Sequence, residues 1–224
     1  MFSPLKVLFS PVKTFREAAQ DPQIKGLALV LALLLATTAI TQYVSALKIS
    51  LIINNQPTSL LASGLFTEYM LSTLVYMVLI FFFNWIIYAG ALLLLIKAFG
   101  GKGGPWRPFF MLAGYVFSVY IVRMGVTAVL ISTLPDLPLE LTTWPPISED
   151  DHRVYVDQVN ALWAPTLALQ MMPFLIWIVY GWFMILGAVA VRASKEIAWG
   201  KAAMVSLGAF LINFMLSSLL GLMF

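Results

Sequence analysis

The sequence predicts an all-α fold, a polytopic bundle of five transmembrane helices with the N-terminus cytoplasmic and the C-terminus outside. Three observations carry this. Hydrophobic residues make up 61% of the chain and charged residues only 10%, against about a quarter charged in a soluble domain. A surface so poor in charge must largely face lipid. Five apolar stretches reach the roughly 20 residues that a helix needs to cross a hydrocarbon core. The basic residues, finally, alternate strongly between successive loops.

The length of 224 residues suits one domain, read as a leader over 1–25 followed by a five-helix domain over 26–224. There is no cysteine, which removes disulfides, thiolate catalysis and zinc–thiolate sites. No cofactor or metal is expected. The basic residues are scattered among short loops rather than gathered in a patch, which argues against nucleic acid as a partner. The expected partners are the bilayer and other membrane proteins or a second copy of the chain.

In the leader, Ser10 followed by Pro11 reads as an N-cap and first helical position. Val12, Phe15 and Ala19 then share one face and Lys13, Arg16, Glu17 and Gln20 the other. Asp21-Pro22 closes the helix. Such a basic amphipathic turn is expected at the inner headgroups, with Lys13 and Arg16 as candidate contacts. The spans are expected over 26–47, 70–96, 109–133, 166–191 and 203–224. The first is a Leu/Ala/Val run of strong helix formers. Because 25 residues precede it and its apolar run is long, it reads as a retained anchor rather than a signal peptide.

Orientation follows from the cations. With the N-terminus inside, the inner segments carry Lys6, Lys13, Arg16, Lys25, Lys97, Lys102, Arg107, Arg192, Lys195 and Lys201, ten in all, against Lys48 and Arg153 outside. That bias is the positive-inside pattern of a plasma- or inner-membrane protein, and one crossing more or fewer would scramble it. Lys102 and Arg107 are further candidates for anionic headgroups. Their loop, Gly100-Gly101-Lys102-Gly103-Gly104, lacks the Ser or Thr and the preceding strand of a phosphate loop.

The outer loop over 134–165 begins with Pro135, Pro138, Pro145 and Pro146, which favour extended or turned backbone. Ser148-Glu149-Asp150-Asp151 resembles a capping box opening a surface helix. Tyr155, Val159, Leu162 and Trp163 follow at helical spacing, with Trp163 expected at the membrane interface. Glu149, Asp150, Asp151 and Asp157 form a candidate partner face. With His152 they do not show the spacing of a calcium loop. Gly90, Gly114, Gly181 and Gly187 are candidate points of close helix packing.

Arg123 is the sharpest feature, a charge within the third span with no Asp or Glu inside any span to neutralise it. Depth matching proposes Gln42, Asn84, Gln170 and Asn213 as a polar cluster around it. The competing reading is an arginine that snorkels outward or staples helices. The spans hold no His, Asp or Glu pair that would support an intramembrane enzyme or a proton carrier.

Taken in order, Pro11…Phe15…Pro22 before the first span, Gly100-Gly101-Lys102-Gly103 after the second, Gly114-Tyr115 in the third, and Trp182 followed by Lys201-Ala202 resemble the Yip1 domain family of five-span proteins. The resemblance covers nearly the whole chain. It implies a role in membrane organisation or vesicle trafficking, with small-GTPase binding through a long cytosolic N-terminal region in eukaryotic members. This chain has only a short leader without that region's tyrosine motif, and resembles the compact prokaryotic members; GTPase binding is not expected. The family's central proline after the Gly-Tyr pair is replaced by Val119-Tyr120-Ile121. The function expected first is a non-enzymatic scaffold or adaptor. The alternative is a small permeation or lipid-handling protein with a polar pathway around Arg123.

Overall fold

A computed structural model describes residues 4–21, 24–53, 56–61, 65–101, 106–139, 149–195 and 197–221. The element order is α1 Pro4–Phe9, α2 Pro11–Gln20, α3 Ile24–Leu47, β1 Ile49–Ile53, β2 Gln56–Ser59, α4 Leu65–Ala98, α5 Trp106–Val116, α6 Val119–Ser132, β3 Leu137–Leu139, α7 Glu149–Leu162, α8 Leu167–Lys195 and α9 Trp199–Leu219. Five helical segments are long and apolar enough to cross a membrane: Ile24–Leu47, Phe66–Ala98, Phe109–Ser132, Leu167–Ser194 and Trp199–Leu219. Each overlaps its expected span. The second and the fifth each begin four residues early, at Phe66 and at Trp199, the latter with Ala198 in the N-cap position.

The described chain divides into two compact units. Unit one comprises Met1–Leu34, Met77–Val122 and Ile178–Phe224; unit two comprises Leu35–Tyr76 and Arg123–Trp177. In unit one, α2 starts after Ser10 with Pro11 in its first turn, where a missing N–H costs nothing. The Ser10 side chain makes no cap bond; the Thr14 hydroxyl donates instead to the Ser10 carbonyl at 2.9 Å and to the Lys6 carbonyl at 3.2 Å. The buried face of α2 is Thr14, Phe15 and Ala18, and it packs on α5. The expected face was Val12–Phe15–Ala19. Val12 is in fact exposed, because the partner is a protein helix that selects the narrower i, i+3 stripe.

The interior of unit one is aromatic. Tyr88 and Phe183 pack with ring centroids 4.8 Å apart, Phe117 meets Phe183 edge-on at 5.2 Å, and Phe81 meets Phe117 at 5.6 Å. Between α5 and α6 the third span breaks at Phe117–Ser118. Ser118 N–H donates to the Tyr115 carbonyl at 3.1 Å and Tyr120 N–H to Phe117 at 3.0 Å, so the helix tightens to i→i−3 bonding. No proline stands at the break; the fully buried Ser118 hydroxyl there has no hydrogen-bond partner.

Unit two amends the all-α expectation. It contains a three-stranded sheet of order β2-β1-β3, antiparallel between β1 and β2 and parallel between β1 and β3. Ile49 and Leu51 point into the core together with Leu137 and Leu139, the period-2 pattern of a half-buried strand. Since β1 follows the first span and β3 the third, their pairing places those two span ends on one side of the membrane. Lys48 and Asp136 pair at 3.7 Å beside this junction. Trp163 was expected at the interface but is buried in this core, its indole N–H donating to the Pro135 carbonyl at 2.9 Å. A buried indole needs such an acceptor, and the proline turn supplies one.

The surface helix forms as α7, with Val154, Tyr155 and Val159 packed on the sheet core. Burial pushes the Tyr155 phenol above its ordinary value, and the Tyr69 phenol adds to the rise. A raised folded-state value means the unfolded chain ionises first. The stability Tyr155 contributes is therefore full below pH about 10 and is lost as pH rises through the folded value. Thermal melts of detergent-solubilised protein should fall more steeply above that pH in the wild type than in Tyr155→Phe. Equal alkaline slopes would remove this role.

Candidate functional site

Unit one contains a groove of about 710 Å³ lined by Val12, Arg16, Ala19, Gln20, Phe109, Val189, Arg192, Ala193, Ser194 and Trp199. Four elements build it. The outward edge of α2 supplies Arg16 and Gln20, because Phe15 and Ala18 are turned into α5. Phe109 comes from the first turn of α5. Arg192 and Ser194 end α8, and Trp199 opens α9. Arg192 is held in place: its guanidinium donates to the Ile197 carbonyl at 3.0 Å and lies 4.8 Å over the Trp199 ring, a cation–π arrangement. Among the described residues, neither Arg16 nor Arg192 has a carboxylate partner, and no acid lines the groove.

Unit one also holds a helix terminus built from the glycine pair. Gly100 adopts φ 75°, Gly101 N–H donates to the Ile96 carbonyl at 2.9 Å and Gly100 N–H to Lys97 at 3.1 Å. This is a Schellman cap, whose left-handed position favours glycine. Lys201 reaches the same terminus, donating from Nζ to the Phe99 carbonyl at 3.2 Å, a cation at the negative end of α4. The glycine pair and Lys201 thus hold the end of the second span to the start of the fifth.

Deeper in unit one, Asn84 on α4 accepts from Asn213 Nδ2 at 3.0 Å and from the Ser217 hydroxyl at 2.7 Å, both on α9, while its own amide donates to the Ile80 carbonyl at 3.0 Å. All three side chains are buried. Asn213 Oδ1 has no hydrogen-bond partner, and the adjoining cavity of about 20 Å³, lined also by Tyr120, Tyr180 and Phe210, is the size of a water molecule.

Of the residues proposed around Arg123, the structure joins Asn84 to Asn213 and adds Ser217. Arg123 and Gln42 are half-buried in unit two. There the Thr41 hydroxyl donates to the Met124 carbonyl at 3.0 Å, tying α3 to α6 next to Arg123. Gln170 is exposed and donates to the Pro165 carbonyl at 3.4 Å. On α7, Asp150 is exposed and pairs with Arg153 at 3.3 Å, and Asp157 is exposed; the side chains of Glu149 and Asp151 lie outside the described residues. Lys13 is exposed on α2. Lys102 and the side chain of Arg107 also lie outside the described residues.

Two of the four glycines proposed as packing points serve that purpose. A Cβ on Gly114 would overlap Leu27 and come within 3.1 Å of Trp85 Nε1, and one on Gly187 would overlap the Tyr88 and Ser206 hydroxyls. Gly90 and Gly181 have nothing within 4 Å of that position, so no close approach requires them. Sequence reasoning missed the groove role of Arg192 and Trp199. The one signal was a cation seven residues before a tryptophan across a helix end, a weak pattern without the fold.

No curated protein and no solved structure matches the chain. The family model for the Yip1 domain matches residues 5–220, which takes in the glycine cap, Gly114-Tyr115, Trp182 and the Lys201-Ala202 step. The chain is a multi-pass integral membrane protein and belongs to the Yip1 domain family.

Proposed function

We propose that the protein is a non-enzymatic scaffold or adaptor for membrane organisation, held in the plasma or inner membrane with its N-terminus cytoplasmic. The observation that carries this reading is the filled interior of unit one, where interlocked aromatic rings leave beside the buried polar trio a space of only about 20 Å³. Such packing supports a rigid element that presents surfaces, rather than one that passes a solute. The presented surfaces are the basic groove of unit one and the exposed acids of α7 in unit two, and other membrane proteins or a second copy of the chain would meet the latter.

Purified protein in phosphatidylcholine vesicles should give ion, anion and lipid-scrambling rates equal to those of empty vesicles. Charge reversal of Glu149, Asp150 and Asp151 should abolish recovery of a co-purifying membrane protein while leaving the thermal melt unchanged. Flux above background, or recovery that ignores the reversal, counts against the scaffold.

A second reading, a permeation or lipid-handling role around Arg123, draws on the break in the third span five residues before it in the chain. Discontinuous spans carry the binding sites of many transporters. Under that reading the wild type shows flux and Arg123→Ala changes it without loss of folded protein.

A further inference from the structure

We propose that the groove of unit one binds the phosphate of an anionic membrane-lipid headgroup, with Arg16 and Arg192 as its cationic jaws. Four observations lead to this occupant. Two guanidiniums, far apart in sequence and on different helices, line one concave space without a carboxylate among its described lining residues. Guanidinium is the side chain whose planar fork best matches phosphate oxygens. Arg192 is preorganised by the Ile197 carbonyl and the Trp199 face, so less side-chain entropy is lost on binding.

The other lining groups match the rest of a lipid. Gln20 offers its side-chain amide, and Ser194, whose hydroxyl donates to the Ala190 carbonyl at 2.9 Å, offers an acceptor for glycerol or headgroup hydroxyls. Val12, Ala19, Phe109 and Val189 form apolar walls for the first carbons of acyl chains. Position agrees as well. Phe109 is the first residue of the third membrane-crossing segment and Trp199 the first of the fifth, so the groove opens at headgroup depth, where tryptophan concentrates. A soluble anion would need only the charged end. The apolar walls and the depth favour a lipid.

Binding here would fix α2 to the ends of α8 and α9 and make the leader's docking depend on lipid composition. The inference is independent of the scaffold reading, because lipid retention and flux are separate measurements.

Native mass spectrometry of full-length protein from vesicles of phosphatidylcholine with a minor fraction of phosphatidylglycerol provides the test. Wild type should retain phosphatidylglycerol in preference to phosphatidylcholine. Arg16→Gln with Arg192→Gln should lower that retention by roughly tenfold or more, taking each basic residue near an anionic surface at its usual strength. Lys25→Gln, an exposed cation at the start of α3 outside the groove, should leave it unchanged. Should Arg192→Gln fail to fold, Arg16→Gln alone and Arg192→Lys serve instead: each should weaken retention, the second because lysine keeps the charge but loses the planar fork stacked on Trp199. Retention unaffected by Arg16→Gln, or lost equally in Lys25→Gln, overturns the site. Displacement of the lipid by millimolar inorganic phosphate would assign the groove to a free anion and overturn the lipid.

Discussion

Gly187→Leu is expected to abolish recovery of folded protein, and Gly187→Ala to lower the melting temperature by several degrees. The position leaves no room: a Cβ there would overlap the Tyr88 and Ser206 hydroxyls. Neither neighbour yields easily. Tyr88 is fully buried, with its ring against Phe117 and Phe183. Ser206 is also fully buried and donates to the Met184 carbonyl at 2.7 Å. Forcing one extra methyl into such a core costs about 1–3 kcal/mol, and leucine adds three more carbons. The same change at Gly181, also on α8, meets nothing and removes a flexible residue from a helix, so Gly181→Ala should be neutral or stabilising by about 0.5–1 kcal/mol. Combining Gly187→Ala with Tyr88→Phe and Ser206→Ala should restore most of the loss. Detergent melts that place Gly181→Ala and Gly187→Ala together would show that α8 does not approach its neighbours as described.

The second large effect concerns the polar trio. Asn84→Leu removes the shared acceptor of Asn213 and Ser217 and leaves two buried donors without it. Interhelical hydrogen bonds within membranes average about 0.6 kcal/mol and reach about 1.7. Losing two should therefore cost roughly 1–3 kcal/mol. The orphaned donors, more than the missing bonds, set the penalty. Asn84→Leu with Asn213→Leu and Ser217→Ala should accordingly be more stable than Asn84→Leu alone. A triple variant less stable than the single one would mean the trio contributes through packing instead.

These two predictions also show where the sequence was legible. The spans were, because twenty apolar residues have few other uses and the charges between them alternate. Pro11 marked the start of α2 because its ring suits only a first turn. The glycine pair announced the end of α4. The sheet is not legible: Ile49-Ser50-Leu51-Ile52-Ile53 is rich in strand-forming residues and precedes two asparagines, but so short a run beside a 24-residue helix reads equally as its loop. The break at Phe117–Ser118 had no local mark, since neither residue is Gly or Pro. Phe117 packs there among Phe81, Tyr88 and Phe183, contacts that no local spacing encodes. Arg16 was legible as a headgroup contact, but its meeting with Arg192 depends on α2 docking on α5, and no spacing rule encodes that. Asn84 and Asn213 were matched by depth alone, and they do meet. Ser217, one turn beyond Asn213, is the partner that helical spacing offered and depth matching passed over.

The topology proposed for the chain puts its leader in the cytoplasm and the segments after the first and third spans outside. Because the chain has no cysteine, single substitutions Lys13→Cys, Ser59→Cys and Asp157→Cys can each be labelled without background, and all three side chains are exposed. With a membrane-impermeant maleimide on intact cells, Ser59→Cys and Asp157→Cys should react together, and Lys13→Cys only after the membrane is opened. Labelling of Lys13→Cys in intact cells, or of Ser59→Cys and Asp157→Cys from opposite sides, would contradict it.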